Sequence, residues 1–214
     1  VSLSYSFNNT VSQNDFSTLN QGIYFGVSAN NTVAYNNMTN DYRGIVLYNS
    51  GNNALTGNVM TGNVRSFALQ GSVLSDFWNY VDESNTVDSK PIYYWINMHD
   101  ATVPLDAGCV ILVNCTNIQA QNLNLQNVQG VLLAQTTNSP ISQNYMLNDV
   151  YGCYAFLSSN NTITENKIEN NNGGGIYAYN SSDVIISHNN VTGSSGGYGI
   201  YAYYCSNSSI LHNN

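Results

Sequence analysis

His99, Asp100 and Asp106 lie close together in the chain and could carry acid–base chemistry. Glycoside hydrolysis needs two carboxyl groups about 5–10 Å apart, and Asp100 and Asp106 could flank such a pocket together with His99. A polysaccharide lyase would instead need a basic residue beside the abstracted proton, and Lys90 is the only one nearby. No paired aspartates or arginines recur at a regular spacing. Solvated acids on loops therefore explain the cluster better, and the sequence predicts a protein that is not an enzyme.

A group of carboxylates between residues 82 and 88 could bind calcium, which takes several carboxylate and carbonyl oxygens. No loop has the spacing of a known calcium motif. Asp82, Glu83 and Asp88 are therefore only weak calcium candidates. We expect no cofactor and no metal site.

Glu165, His188 and His212 recur at one position of the repeat described below. If they stack on successive coils, two imidazoles and a carboxylate could hold zinc or copper. Stacked residues of this kind are more often only solvated side chains, so we predict no metal role for them.

An aromatic stripe is the stronger candidate for a binding surface. In the strand after each glycine, alternation points Ile176 and Ala178 inward and Tyr177 and Tyr179 outward. An exposed aromatic patch that crosses several coils indicates a partner, either another protein or sugar rings. The alternative is that stacked tyrosines only stabilise the sheet. The residues predicted to form the stripe are Tyr24, Tyr48, Tyr154, Phe156, Tyr177, Tyr179, Tyr201 and Tyr203.

These residues sit on a repeat of about 22 residues that runs through the chain. One anchor of each unit is an apolar residue followed three places later by Asn, with Ile118/Gln121 as a variant. The second anchor is Gly followed by an apolar residue, as in Gly22-Ile23 and Gly175-Ile176. The first anchors are Val11/Asn14, Val33/Asn36, Leu55/Asn58, Ile118/Gln121, Ile141/Asn144, Ile163/Asn166, Ile186/Asn189 and Ile210/Asn213.

A short fixed period indicates one unit stacked on copies of itself. The apolar stretches are short, β-branched or aromatic and separated by Asn, Gly and Ser, which is typical of strands rather than helices. We predict an all-β fold, a single-stranded parallel β-helix whose coils lie roughly 4.8 Å apart. Asn at the corners would form ladders of side-chain amides and would tolerate a left-handed backbone.

The repeat covers both ends, so one domain over 1–214 is predicted, with an irregular, loop-bearing section at about 74–114. Excursions are expected at 82–90 and 99–106, and strands at 92–96 and 110–113. Neither end has the pattern of a capping unit, so the domain is expected either to belong to a longer chain or to be capped by neighbouring copies.

The irregular section also carries a family resemblance. Its segments Lys90–Trp95, Val103-Pro104, Asp106–Gly108 and Val113–Ile118 resemble the β-helix repeat proteins of archaeal cell surfaces, within the class of the NosD-type periplasmic proteins. The resemblance implies a right-handed helix and an extracytoplasmic location. It does not imply a copper site here, because no Met-rich or His-rich cluster is present.

Composition excludes two classes of function. Only 7% of the residues are charged, the net charge is −8, and four basic residues cannot form the stripe that nucleic acid requires. No apolar run is long enough for a membrane span, and no signal peptide is visible. Candidate N-glycosylation sites in Asn-x-Ser/Thr motifs are Asn8, Asn30, Asn37, Asn114, Asn160, Asn180, Asn190 and Asn207.

The four cysteines are predicted to be free thiols. Cys153 occupies the Gly-apolar anchor, and Cys109 is expected in the same buried column about two coils away, too far to bridge. Cys115 and Cys205 should lie near corresponding corners several coils apart.

Together these patterns predict a structural building block of an extracellular assembly such as a surface layer, sheath or filament. Its partners would be copies of itself, meeting end to end or through the tyrosine stripe, with glycans as further candidates. The alternative is a carbohydrate-binding or carbohydrate-active β-helix, which paired carboxylates in a groove would favour.

Overall fold

The computed structural model describes every residue from Val1 to Asn214 as an all-β parallel solenoid with coils of about 22 residues. The fold class predicted from the repeat is therefore confirmed. The only helical segment is a 3-10 turn at Leu74–Phe77, and the chain forms no helix of the length and apolarity needed to cross a membrane. Two compact units are present, Val1–Tyr94 and Trp95–Asn214. The single domain predicted over 1–214 stays a prediction.

The first unit contains three sets of parallel strands, one for each straight segment of a coil. The first set is β1 (Ser2–Ser4), β4 (Ile23–Gly26), β7 (Arg43–Tyr48) and β10 (Arg65–Gln70). The second is β2 (Thr10–Ser12), β5 (Thr32–Ala34), β8 (Ala54–Thr56) and β11 (Tyr80–Val81). The third is β3 (Asp15–Ser17), β6 (Asn37–Thr39), β9 (Val59–Thr61) and β12 (Thr86–Val87). Strand β12 also pairs antiparallel with the start of β13 (Lys90–Ile96).

The second unit repeats this arrangement. One set is β14 (His99–Thr102), β16 (Thr116–Gln121), β19 (Pro140–Ser142), β22 (Thr162–Thr164), β25 (Ile185–Ser187) and β28 (Ser209–Leu211). The next is β15 (Cys109–Val113), β18 (Val131–Ala134), β21 (Tyr151–Phe156), β24 (Gly174–Tyr179) and β27 (Ile200–Tyr203). The last is β17 (Asn124–Gln126), β20 (Tyr145–Leu147), β23 (Lys167–Glu169) and β26 (Asn190–Thr192).

Apolar side chains of successive coils stack in the interior of each unit. In the first unit Val11 pairs with Val33, and Val33 with Leu55; all three are buried. In the second unit a column runs through Ile141, Ile163, Ile186 and Ile210, buried except for Ile210, which is 48% exposed. Because each coil places one apolar side chain in the column, every coil contributes to the interior of its unit.

Asparagine ladders hold the coils in register at the predicted positions. The Nδ2 of Asn36 donates to the Oδ1 of Asn58 at 2.9 Å and to the carbonyl of Val11 at 2.9 Å. Its own Oδ1 accepts from the backbone and side chain of Asn14. Asn166 is bonded in the same way in the second unit. Each amide thus satisfies backbone groups at a corner where the sheet ladder is interrupted.

The left-handed backbone at these corners belongs to the preceding residue. Gln13, Tyr35 and Gly57 have φ of 57°, 56° and 63°, and the ladder asparagines follow them. One residue therefore makes the turn and the next makes the hydrogen bonds, whereas both roles were expected of the same asparagine. Residues other than glycine tolerate this φ only at a cost, which the ladder offsets.

The irregular section keeps more of the repeat than predicted. Asn85 continues the ladder of Asn58 at a spacing of 27 residues instead of 22, and Asn79 continues a second ladder, that of Asn53, at a spacing of 26. The predicted excursions at 82–90 and 99–106 consist of turns interrupted by the short strands β12 and β14, so they are loops only in part. A few inserted residues lengthen the turns and shift the spacing without removing the corner.

Two register assignments near this section were also wrong. Ala120, not Ile118, pairs with Ile141, because the coil from Thr116 to Thr137 spans 21 residues, whereas the predicted pairing of Ile118 with Ile141 required 23. The corner that follows is occupied by the buried, apolar Leu123 rather than by an amide. Val131 pairs with both Val110 and Cys153, so Cys109 lies one position out of that column.

The four cysteines are free, and Cys109 and Cys153 are buried, as predicted. Cys115 and Cys205 do lie at corresponding corners of the second unit. The Sγ of Cys115 donates to the carbonyl of Val113, and the Sγ of Cys205 donates to the carbonyl of Tyr203. Between them, the hydroxyl groups of Thr136, Ser158 and Ser181 make the equivalent bonds.

Candidate binding surface

Two columns of aromatic rings stand on the outer face of strands β21, β24 and β27. Tyr154, Tyr177 and Tyr201 are register partners, with ring centroids 5.1 and 5.2 Å apart. The second column is spaced at 5.5 and 5.7 Å. We call the six rings the aromatic ladder: Tyr154, Tyr177 and Tyr201, with Phe156, Tyr179 and Tyr203 beside them. The parallel register sets the ring spacing, because each strand lies one coil from the next.

The aromatic ladder is exposed at one end only. Tyr154 and Phe156 are 6% and 3% exposed, so the prediction that they are exposed was wrong, and burial raises the pKa of the Tyr154 phenol. Alternation fixed their outward direction, but Tyr151 and the ring of the next coil cover Tyr154. Tyr203 is 40% exposed, and Tyr204 beside it, with centroids 4.2 Å apart, is 72% exposed.

Tyr24 and Tyr48 do not extend the aromatic ladder. They lie in the sheet of β4 and β7 in the first unit, whereas all six ladder rings belong to the second unit. Tyr24 is a register partner of Val46, and Tyr48 of Gln70. Neither tyrosine has an aromatic neighbour in its column, so the stripe predicted from the sequence is shorter than expected.

A small cavity opens beside the first column of the ladder. Its volume is about 220 Å³, and it is lined by Tyr151, Gly173, Gly174, Ile176, Tyr177, Gly196, Tyr198 and Tyr201. We call it the tyrosine cavity. The glycines make room for its rings, because a Cβ at Gly173 would lie 2.6 Å from the Tyr151 ring. No charged side chain lines the cavity, so its chemistry suits an uncharged, ring-shaped ligand.

The predicted acid–base cluster lacks the tuning of a catalytic pair. The Nδ1 of His99 lies 3.0 Å from the Oδ2 of Asp100, and both side chains are exposed. A hydrogen bond from Asn117 lowers the pKa of Asp100, as does the bond to His99. A general acid needs a raised pKa at neutral pH, so Asp100 is unsuited to that role. Asp106 is exposed in a turn, and Lys90 begins a strand of the first unit.

The calcium candidates are engaged in turns. The carboxylate of Asp82 accepts hydrogen bonds from Thr56 and from the backbone of Ser84, and that of Asp88 accepts from the backbone of Gly62. Glu83 is exposed. These contacts bridge neighbouring coils of the first unit and give the carboxylates a structural role.

The stacked histidines are neighbours, as the repeat predicts. The rings of His188 and His212 lie 5.2 Å apart. Glu165 instead accepts a hydrogen bond from Gln143 on the preceding coil at 2.9 Å. No group of three His, Cys, Asp or Glu side chains in the chain could hold a metal ion.

All eight candidate glycosylation sites are exposed. Most have a left-handed backbone at a corner, as at Asn160 with φ of 54°, while Asn37 and Asn190 begin strands. The side chain of Asn114 donates to Asn97 at 2.6 Å and would have to release that bond to carry a glycan. Glycosylation stays a prediction.

One pair of functional candidates was missed in the sequence. Arg43 and Arg65 are register partners on strands β7 and β10, and both guanidinium groups lie over the ring of Tyr42. The signal was present, since their separation equals one 22-residue coil. The two arginines therefore do recur at the coil spacing, contrary to the expectation from the sequence.

Comparison with known protein families gives two matches. Residues 108–214 match the family described as "Right handed beta helix region". Residues 1–100 match the family described as "Periplasmic copper-binding protein (NosD)". Comparisons with curated proteins and with solved structures give no match.

Proposed function

Because the chain belongs to the right-handed β-helix proteins, we propose that it is a structural building block of an extracellular assembly, in which copies meet laterally through the aromatic ladder. The similarity of residues 1–100 to a periplasmic family supports a location in the cell envelope or beyond it. The end-to-end contact expected from the sequence stays a prediction.

The exposed end of the aromatic ladder is the observation that carries this proposal. Strands β21, β24 and β27 contain no charged residue, and tyrosine is enriched in the centres of protein interfaces where charge is depleted. Within the ladder the ring planes of Tyr154 and Tyr177 are 7° apart, so the rings cover one another's faces. The edges and hydroxyl groups of the half-buried rings, Tyr177, Tyr179 and Tyr201, remain for a partner, which suits a protein surface better than stacked sugar rings.

A pair of matched double variants tests the proposal. Tyr203→Asp with Tyr204→Asp places two charges at the ladder's exposed end, where the side chains are 40% and 72% exposed. The control, Tyr48→Asp with Tyr5→Asp, changes tyrosines of similar exposure, 38% and 75%, in the first unit. Both should keep the wild-type circular dichroism spectrum.

Sedimentation velocity over a range of protein concentrations should show association of the wild type and of the control, and its loss in the ladder variant. The assembly proposal fails if the wild type stays monomeric at high concentration. It also fails if the two double variants associate equally.

Carbohydrate binding is the second candidate, and the tyrosine cavity favours it. The cavity is uncharged and has aromatic side walls, which suit a neutral sugar ring. Titration with neutral oligosaccharides should shift the NMR signals of Gly173 and Gly196 in the wild type and not in Tyr198→Ala. Unchanged signals in the wild type would remove this candidate.

Copper binding, which appears in the name of the second matching family, does not fit the residues of this chain. Copper(I) prefers thiolate and thioether ligands. The matched residues 1–100 contain no cysteine, and His99 is their only histidine. Met38 and Met60 stack on adjacent strands but are fully buried in the core, which leaves the exposed Met98 as the one thioether beside His99. We therefore assign no role to copper.

A further inference from the structure

Arg43 and Arg65 hold two positive charges side by side on the surface of the first unit. Their Cα atoms are direct partners in the parallel pairing of β7 and β10, where neighbouring strands lie roughly 4.8 Å apart. Their guanidinium carbons lie 5.6 and 5.1 Å from the centroid of the same Tyr42 ring. We call Arg43 and Arg65 the arginine pair.

No acidic side chain neutralises the arginine pair. The chain has twelve acidic and four basic residues, yet neither arginine forms an ion pair, whereas Lys167 pairs with Glu169. Asp41, two residues before Arg43, is turned into the interior, where its Oδ1 accepts from the backbone of Leu19 at 2.7 Å. A strongly acidic protein thus leaves half of its basic residues together and without a counter-charge.

This arrangement costs stability in the absence of a ligand. Like charges directly opposite each other on neighbouring strands repel. The face of Tyr42 offsets part of that repulsion through cation–π attraction, and it also restricts where the two guanidinium groups lie. Local arrangements that work against folding are typical of functional sites. Two half-buried guanidinium groups also present planar sets of N–H donors that match the oxygens of carboxylate, sulfate and phosphate groups.

We propose that the arginine pair binds an oxyanion, with Tyr42 holding the two guanidinium groups for joint contact. The ligand group is a carboxylate, sulfate or phosphate, which are recognised by the same charge-assisted hydrogen bonds. This site lies in the first unit and is independent of the aromatic ladder, so it goes beyond the proposed function.

The chain contains only two arginines, which gives a direct spectroscopic test. The Nε–H region of an NMR spectrum of the whole protein should show one signal for each. Titration with sodium sulfate, sodium phosphate or sodium galacturonate, at ionic strength held constant with sodium chloride, should shift both signals saturably. Saturation by sulfate or phosphate alone would identify an inorganic oxyanion as the ligand, and saturation by galacturonate would identify an acidic sugar.

Variants decide whether the two arginines act together. Arg43→Gln should weaken anion binding at Arg65 by about tenfold or more, since the charge-assisted bonds of one guanidinium are lost. Lys167→Gln, which removes a cation that is paired with Glu169, is the matched control and should leave the affinity unchanged.

Arg43→Gln should also unfold at the same temperature as the wild type or higher, because repulsion is relieved. The proposal is overturned if the shifts do not saturate, or if Arg43→Gln binds as tightly as the wild type. A lower unfolding temperature for Arg43→Gln together with no anion binding to the wild type would show that the arginines serve the fold alone.

Discussion

The interiors of the two units are built in the same way, whereas their outer faces differ. At one interior corner the first unit places Asp41 followed by Asn63, and the second unit places Asp149 followed by Asn171 at the same point of the coil. On the outer face of the glycine-led strands, Tyr24 is followed by Val46, whereas three tyrosines follow one another in the aromatic ladder. Stacking therefore constrains the interior of every coil and leaves the exterior free to acquire separate surfaces.

The largest effect should come from breaking the interior column. Replacing Ile163, which is fully buried, by Ala leaves a cavity and should lower the free energy of unfolding by about 2–5 kcal/mol. The control is Ile185→Ala, because Ile185 is 45% exposed on strand β25 of the same unit. Urea denaturation of both variants measures the difference. Similar losses in the two variants would contradict the interior column.

Removing one asparagine of a ladder should destabilise the protein nearly as much as breaking the interior column, and by a similar amount in both units. Asn36→Ala and Asn166→Ala each remove an amide that bonds the coils on both sides. Each buried group left without a partner costs about 1–3 kcal/mol, so the two variants should lose similar amounts. Asn37→Ala, at the exposed neighbouring position, should be close to neutral by the same denaturation measurement. A large loss in one unit alone would mean that the two interiors are not equivalent.

These interior positions were predictable because the same chemistry returns at a constant spacing. Val33/Asn36 and Ile163/Asn166 follow directly from the period. Asn79 was not found, because insertions lengthen its spacing from the preceding ladder residue to 26. A search for residues 22 apart does not find a residue that keeps its corner position in the coil but lies at a different spacing in the sequence.

The outer surface was less predictable for a different reason. Alternation along a strand gives the direction of Tyr154 but not what covers it, and Tyr151 lies in the same strand without belonging to the repeat. Arg43 and Arg65 recur at the right spacing, but their importance depends on the absence of a nearby carboxylate. Such absences are visible only once the acids have been placed in space.

A change at the shared aspartate corner should have a smaller, pH-dependent effect. Asp149 is fully buried; its Oδ1 accepts from the backbone of Val128, while its Oδ2 has no hydrogen-bond partner. Burial raises the pKa of this carboxyl well above its usual value. Since the folded pKa exceeds the unfolded one, its contribution to stability is complete below about pH 3.9 and is lost as the pH rises through the folded pKa.

Asp149→Asn supplies the amide found one coil later at Asn171. At pH 7 this variant should gain stability on the order of 1–3 kcal/mol, and the gain should shrink towards pH 4. Chemical denaturation at the two pH values measures it, with Asp183→Asn as an exposed control. A variant that is less stable than the wild type at pH 7 would show that the carboxylate is tolerated in its charged form.

The smallest perturbation, thiol labelling, compares the interior with the surface without altering the fold. Burial raises the pKa of both Cys109 and Cys153 to about 12, so at pH 8 only about one molecule in 10⁴ carries a reactive thiolate at either site. Cys115 is also buried, and burial raises its pKa as well. Cys205 is half-buried and is the one thiol open to solvent.

Brief alkylation at pH 8 followed by mass spectrometry should therefore add one label per chain, at Cys205, and urea should raise the number to four. Fast labelling of Cys153 in the folded protein would show that the coils around Ile163 open readily, and the interior would then be less uniform than the ladders indicate.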